Sequence, residues 1–238
     1  FAGENLVITL SGTSASKPFS VLVTDEIFSL DLIEKTQCLP LYRYAAGERV
    51  ENITDWALNH FQDRYKDRKI GKTDIFHYVY AVLHHPAYRA KYEQNLKREF
   101  PRIPFYDDFW KWANWGQRLM ELHLNYETLA PFALERVENE QTNATPRLIA
   151  RKDTGIIEVD TITSLHGVPA EAWDYRLGTY SALEWVLERY KEKKPKDPTI
   201  AEKFNTYKFA DYKEQVIDLL GKVCRVSVET MQIIAEMP

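Results

Sequence analysis

Residues 74–85 read DIFHYVYAVLHH, the most apolar helical pattern in the middle of the chain. Ile75, Phe76, Val79, Val82 and Leu83 recur at helical spacing and cover so much of the circumference that the helix must be buried. Thr73 is its expected N-cap, with Asp74 in the first turn, and Pro86 stops or restarts it. A further helix is predicted from about Tyr88 to Glu99, ended by Pro101 and Pro104. Another follows from about Asp107 to Leu124, with Phe109, Trp112, Ala113, Gly116, Leu119 and His123 on one stripe. On the N-terminal side, Thr54 caps a helix carrying Trp56, Leu58 and Phe61.

Strands flank this helical middle. Asn5 to Leu10 and Phe19 to Thr24 are apolar, β-branched runs separated by SGTSASKP, which turns easily and cannot hold a helix, so they should pair. A third strand, Cys38 to Tyr44, contains Pro40 and therefore belongs at an edge or an end; after Ala45-Ala46-Gly47 the pattern changes to helix. On the other side, Glu135 to Pro146 is polar and reads as a linker or exposed loop. Arg147 to Lys152, the turn Asp153-Thr154-Gly155 and Ile156 to Thr163 form a hairpin. Ser181 to Tyr190 is an amphipathic helix, KEKKPKDP (191–198) a solvated connector, and about Asp211 to Ala235 the last helix. The expected class is α+β: a β-rich N-terminal region and a β-hairpin packed with a helical bundle.

The chain has 238 residues, enough for a large core, and its 45% hydrophobic and 28% charged content excludes wholesale disorder, collagen and coiled coil. Cys38 and Cys224 lie far apart in apolar surroundings, which suits a reducing compartment. The sequence has no 18-residue apolar run and no leader pattern, so a soluble, cytoplasmic protein without a membrane partner is expected. The chain opens on Phe1 rather than Met, which hints at a piece of something longer.

Motifs for chemistry are sparse. Gly71-Lys72-Thr73 resembles the end of a phosphate-cradling loop, but Lys66 stands where the first glycine is needed, so a loop ending in an N-cap is the better reading. His77, His84 and His85 have no acidic or cysteine partner at metal-ligand spacing and read as packed or helix-end residues. Asp153 with Glu158 and Asp160 lacks the lysine of a metal-dependent nuclease and reads as a hairpin with solvated acids. There is no nucleophile elbow and no Asn/Asp-Pro-Pro-aromatic motif for amino methylation. No catalytic residue, metal ligand or cofactor is assigned to this chain.

Charge is more telling. Lys+Arg number 31 and Asp+Glu 35, a net charge of −4, which taken as a sum argues against nucleic acid. Between His60 and Arg102, however, ten basic residues face five acids, a local +5 that leaves −9 for the rest. Such a segment, interleaved with Tyr65, Tyr78, Tyr88 and Tyr92, is able to follow a phosphate backbone; an ordinary solvated helix face is the plainer alternative.

The string DIFHYVYAVLHHPAYRAKYEQNLKREFPRIPF (74–105), preceded by ENITDWAL (51–58), resembles the C-terminal specificity domain of type ISP restriction-modification enzymes and of related adenine-specific methyltransferases labelled predicted helicases. KPFSVLVTDEI (17–27), TQCLPLYRY (36–44) and WDYRLGTYSALEWVLERY (173–190) are similar to other stretches of that domain. The resemblance implies one target recognition domain over residues 1–238, β-rich over residues 1–50, helical over 51–134, and built of a hairpin plus helices over 147–238. It further implies double-stranded DNA as partner, and an upstream nuclease (endonuclease), ATP-driven translocase and adenine methyltransferase in the same polypeptide. S-adenosylmethionine, ATP and Mg2+ would serve those upstream domains. The rival expectation is a structural coupler that docks on the methyltransferase or translocase and touches DNA little.

Basic residues in expected loops supply the candidate contacts. Lys69, Lys72, Arg98 and Arg102 are expected to meet backbone phosphate; Lys17 in the Ser14–Lys17 loop, and Arg151 and Lys152 on the hairpin, are expected to enter a groove.

Overall fold

In the computed structural model, which describes residues 3–193, 197–199 and 207–238, antiparallel strands and helices alternate in an α+β arrangement. The chain divides into two units: one takes the residues up to Asn125 with Leu177–Thr179 and Gln232–Pro238, the other takes Tyr126–Arg176 and Tyr180–Met231.

In the first unit, β1 (Val7–Leu10) lies between β2 (Val21–Thr24) and β3 (Gln37–Pro40), antiparallel to both. All four β1 side chains are buried, Val7, Ile8 and Leu10 as apolar core and Thr9 with its hydroxyl donating to the Leu22 carbonyl at 3.2 Å. The expected Cys38–Tyr44 strand divides after Pro40, whose nitrogen has no hydrogen to continue a ladder. Its second half, β4 (Tyr42–Ala45), pairs instead with β5 (Glu48–Glu51) across Ala46-Gly47. Both turn residues have positive φ, 53° and 86°, which suits the right-handed twist of a two-residue hairpin. A strand therefore stands where the sequence pattern passes straight to helix; its four exposed side chains carry no alternation to reveal it.

Helix α1 (Asp55–Tyr65) begins as expected, with Thr54 Oγ1 accepting from the Ala57 amide at 3.2 Å. Helix α2 (Lys72–His84) is capped two residues earlier than predicted: Gly71 is the N-cap, its amide donating to Asp74 Oδ2 at 2.8 Å, and Thr73 lies inside the first turn. Pro86 restarts the chain as the first residue of α3 (Pro86–Lys91), and α4 (Glu93–Leu96) follows a break at Tyr92, so the predicted Tyr88–Glu99 helix is two short pieces. Helix α5 (Phe109–Leu124) is capped by Asp108 and buries the whole predicted stripe.

Helices α2 and α5 pack with unusually close backbones. A Cβ added to Gly116 would lie 1.8 Å from the His77 carbonyl oxygen, so no side chain fits there. Around this contact Tyr78 stacks on Phe109 at 5.2 Å, Phe61 and Phe105 meet edge to face at 4.8 Å, and Tyr78 Oη donates to the Pro104 carbonyl. The histidines serve the core: His84 rests on Tyr80, and His123 Nδ1 is 2.7 Å from the Tyr80 hydroxyl.

The second unit is built on a four-stranded antiparallel sheet in the order β6 (Glu135–Glu138), β9 (Thr163–His166), β8 (Ile156–Asp160), β7 (Pro146–Arg151). The predicted hairpin is β7–β8, with Arg151 opposite Ile156 and Ile149 opposite Glu158. The expected Ile156–Thr163 strand folds back at Asp160, and a stretch of the expected polar linker is strand β6, held by its ladder to β9 although all four side chains are exposed. Leu148, at φ 47°, bulges β7 and points inward. The inner face packs Leu148, Ile157, Val159 and Leu165 against Leu183 and Leu187 of α6 (Ala182–Arg189) and Val216, Leu220, Cys224 and Val228 of α7 (Lys213–Ala235). Burial there pushes the Cys224 thiol up to about 12, so it is an inert core residue. Of the predicted connector 191–198, residues 194–196 lie outside the described residues.

The α2–α5 packing makes two aspects of stability measurable. Gly116→Ala should cost about 2–3 kcal/mol, because neither helix backbone can yield without losing its packing; urea unfolding measures this. Burial holds His84 well below the ordinary histidine range and His123 at about 3, so both stay neutral in the fold while the unfolded chain protonates near 6.5. Their stabilisation is complete above pH 6.5 and falls by about 1.4 kcal/mol per pH unit for each as the pH drops below it. Unfolding free energy at pH 7.5 and 5.5 should show this slope, and His123→Gln should reduce it.

Candidate nucleic-acid interface

The loop between β1 and β2 is tied down by one carboxylate. Glu34 accepts from the Ser16 amide at 3.0 Å, the Ser16 hydroxyl at 2.8 Å and the Lys17 amide at 3.0 Å, bonds that hold its pKa at about 2. The Ser14 amide donates to the Lys97 carbonyl and Lys35 Nζ to the Ser14 carbonyl, so the loop rests on the chain just before Arg98. Lys17 and Arg98 are exposed, and neither charged group forms an ion pair among the described residues.

The other members of the basic segment differ in how far their charge is committed. Lys69 is exposed on the α1–α2 loop, its amide donating to Asp67. Arg102 pairs with Glu99 at 2.9 Å on the surface, an interaction worth at most about 1 kcal/mol, which a phosphate can displace. Lys72 is another matter. Its ammonium sits between Asp55 at 2.6 Å and Glu51 at 2.7 Å with the side chain only 14% exposed, and these two carboxylates raise its pKa. For Lys72 to meet a phosphate, both pairs would have to break.

The hairpin shows the clearest organisation. Strand alternation places Arg147, Ile149 and Arg151 of β7 on the outward face, with Glu158 of β8 opposite Ile149. Arg147 Nη1 reaches Glu158 Oε2 at 3.0 Å and Arg151 Nε reaches Glu158 Oε1 at 2.8 Å. The two guanidinium groups hold the Glu158 carboxyl below its usual range, and Glu158 in turn raises the pKa of Arg151. Lys152 goes the other way: its ammonium is 2.8 Å from Glu184 of α6 and 6.0 Å from the Trp173 ring. Arg151 is the last residue of β7 and Lys152 the first of the turn, and their charged groups go to different partners, Glu158 and Glu184.

Of the acids read as solvated, Asp160 is buried. Its side chain is 2% exposed; Oδ1 accepts from the Ile162 and Thr163 amides at 2.8 and 2.7 Å, and Oδ2 meets Lys213 Nζ at 2.8 Å. Burial alone would raise its pKa, but Lys213 and the two amides outweigh it and hold the carboxyl low. Neither the role of Asp160 nor the Arg147–Glu158–Arg151 triad is announced by a motif. Only the hairpin register, counted outward from Asp153-Thr154-Gly155, signals the triad in the sequence, by placing Glu158 across from Ile149 between the arginines. Among the described residues no group of three or more His, Cys, Asp or Glu is placed to hold a metal ion, and no helix is long and apolar enough to cross a membrane.

Residues 1–219 match the family model of the Type ISP C-terminal specificity domain. The chain belongs to that family. Three solved structures superpose over 99% of it: a DrdV–DNA complex (58% identity, TM-score 0.93), a nuclease-deletion mutant of the Type ISP restriction-modification enzyme LlaGI with a DNA substrate mimic (26%, 0.76), and the ATP-dependent Type ISP restriction-modification enzyme LlaBIII bound to DNA (25%, 0.77). This chain spans 25%, 21% and 16% of those chains respectively. No curated protein matches it.

Asp160 yields a direct prediction. Lys213→Met leaves a buried carboxylate without its cation and should cost about 3 kcal/mol, read as a lowered urea midpoint.

Proposed function

We propose that this chain is the sequence-recognising end of a larger restriction-modification enzyme and binds double-stranded DNA, its two units serving one recognition domain. The observation that carries this reading is the family match over residues 1–219, together with a 58% identical chain seen in complex with DNA. The rest of the enzyme would supply the nuclease, the ATP-driven translocase and the adenine methyltransferase, and would use ATP, Mg2+ and S-adenosylmethionine there, in the cytoplasm. Phosphate contacts fix register and contacts to base edges choose the site. Lys69 and Arg98, exposed and without ion pairs among the described residues, are the best-placed phosphate ligands; Lys17, expected in a groove, is reassigned to phosphate beside them because its loop is tethered to Glu34 and Lys97, and Arg102 joins by leaving Glu99. Base contact falls to the outward face of the hairpin, where Arg151 stands; Lys152, held by Glu184, supports the hairpin rather than the groove.

A second reading has its own observation. Between β2 and β3, Ile27 and Leu30 are 77% and 78% exposed beside Asp25, Glu26 and Asp31. An acidic, apolar loop repels phosphate and suits a protein surface, as a coupler would need. Recognition and docking are compatible on different regions of the chain, whereas a coupler alone predicts no DNA affinity.

Salt dependence separates them. For the full-length protein, log affinity for DNA should fall linearly with log salt. The triple variant Lys17→Ala, Lys69→Ala, Arg98→Ala should reduce the slope by about 0.9 for each phosphate no longer neutralised, with the preferred sequence unchanged. A salt-independent or absent affinity would leave the coupler.

A further inference from the structure

We propose that Glu158 is a positioning residue that aims Arg151 at a guanine in the major groove, with Arg147 as the counter-charge that makes a carboxylate tolerable next to DNA. The inference rests on the DNA-recognition reading above and names the base and the atoms involved.

The two guanidinium groups of the triad are occupied on different edges. Arg151 is held through Nε, at 2.8 Å from Glu158 Oε1, and its two terminal nitrogens have no partner among the described residues. A guanidinium anchored in this way keeps its plane and direction while its Nη1 and Nη2 point away from the anchor. These two donors match the spacing of two acceptors on one base edge, and guanine presents such a pair in the major groove, O6 and N7. Arg147 is held differently, through Nη1 on Glu158 Oε2 at 3.0 Å, so one end of its fork is already used. It is the poorer two-point reader of the pair.

Charge and exposure fit the assignment. A lone carboxylate facing DNA would be repelled by phosphate, but two guanidinium groups around Glu158 leave the triad at +1. The Glu158 side chain is 20% exposed and both arginines are about half exposed, so the buttress is shielded while the readers stay open. β7 is the edge strand of the four-stranded sheet, with only β8 beside it, so the outward side chains of the hairpin lie at the sheet's open margin, where a groove edge can reach them. Holding Arg151 in place before DNA arrives also lowers the side-chain entropy lost on binding.

The test uses the full-length protein and duplexes carrying its preferred site, in which each guanine in turn is replaced by 7-deazaguanine, which lacks the N7 acceptor. Wild-type protein should lose affinity at one guanine, and Arg151→Lys, which keeps the charge but not the fork, should lose discrimination there by about 5- to 150-fold while its salt slope stays the same. Glu158→Ala should relax the same position, Glu158→Gln should restore some of it, and Arg147→Ala should weaken binding while the guanine is still read. All variants should bind non-specific DNA with wild-type salt dependence, which shows that they are folded. If Arg151→Lys and Glu158→Ala keep the wild-type preference at every position, or no guanine responds to deaza substitution, the inference is wrong and the DNA-recognition reading stands. If wild-type protein shows no sequence preference and no salt-dependent binding, the recognition reading itself fails, and this inference with it.

Discussion

The second unit is organised around a buried charge. Asp160 ends β8, and with both of its oxygens engaged it fixes three things together: the tight return into β9 through the Ile162 and Thr163 amides, the register of the sheet, and the start of α7 through Lys213. A carboxylate at 2% exposure tolerates no half-measures, because losing its cation costs several times what a surface pair is worth. Once β8 is held in that register, alternation does the rest. Ile157 and Val159 turn inward to α6 and α7, and Glu158 turns outward between Arg147 and Arg151. The outward Arg147–Glu158–Arg151 triad is in this sense a by-product of where the core carboxylate sits.

The first unit meets a steric constraint instead. Gly116 lets α5 approach the α2 backbone at His77, and the aromatic residues of both helices then close around that contact. This rigid pair supports surface segments whose positive charge is distributed unevenly in usefulness. Arg68, Lys97 and Arg102 are balanced by an acid three to five residues away, and Lys72 by two acids that belong to other elements. The local +5 of residues 60–102 therefore overstates what a phosphate backbone would meet. Of the candidate contacts, Lys69 and Arg98, with Lys17 from the tethered loop, are exposed and outside any ion pair among the described residues.

Family and fold class are legible in the chain, since long aromatic strings such as residues 74–105 tolerate few alternatives and the α+β pattern follows from periods of 3.6 and 2. The site is less legible. Arg151 and Lys152 look like one basic spot in sequence, yet Arg151 at the end of β7 goes to Glu158 and Lys152 in the turn goes to Glu184. Lys72 looks like an exposed helix start, yet the β4–β5 hairpin, whose side chains carry no alternation, brings Glu51 to it.

Local sequence was enough for what depends on neighbours a few residues apart: the Thr54 cap, the restart at Pro86, the buried stripe of α5 and the turn that joins β7 to β8. Tertiary structure alone decided strand β6, the burial of Asp160, and which of the candidate cations are held in ion pairs. The physical reason is separation along the chain. Caps and periodic faces are formed by residues within about four positions, whereas the Lys72–Glu51, Arg136–Glu214 and Asp160–Lys213 pairs join positions 21, 78 and 53 apart, which only the folded backbone brings together.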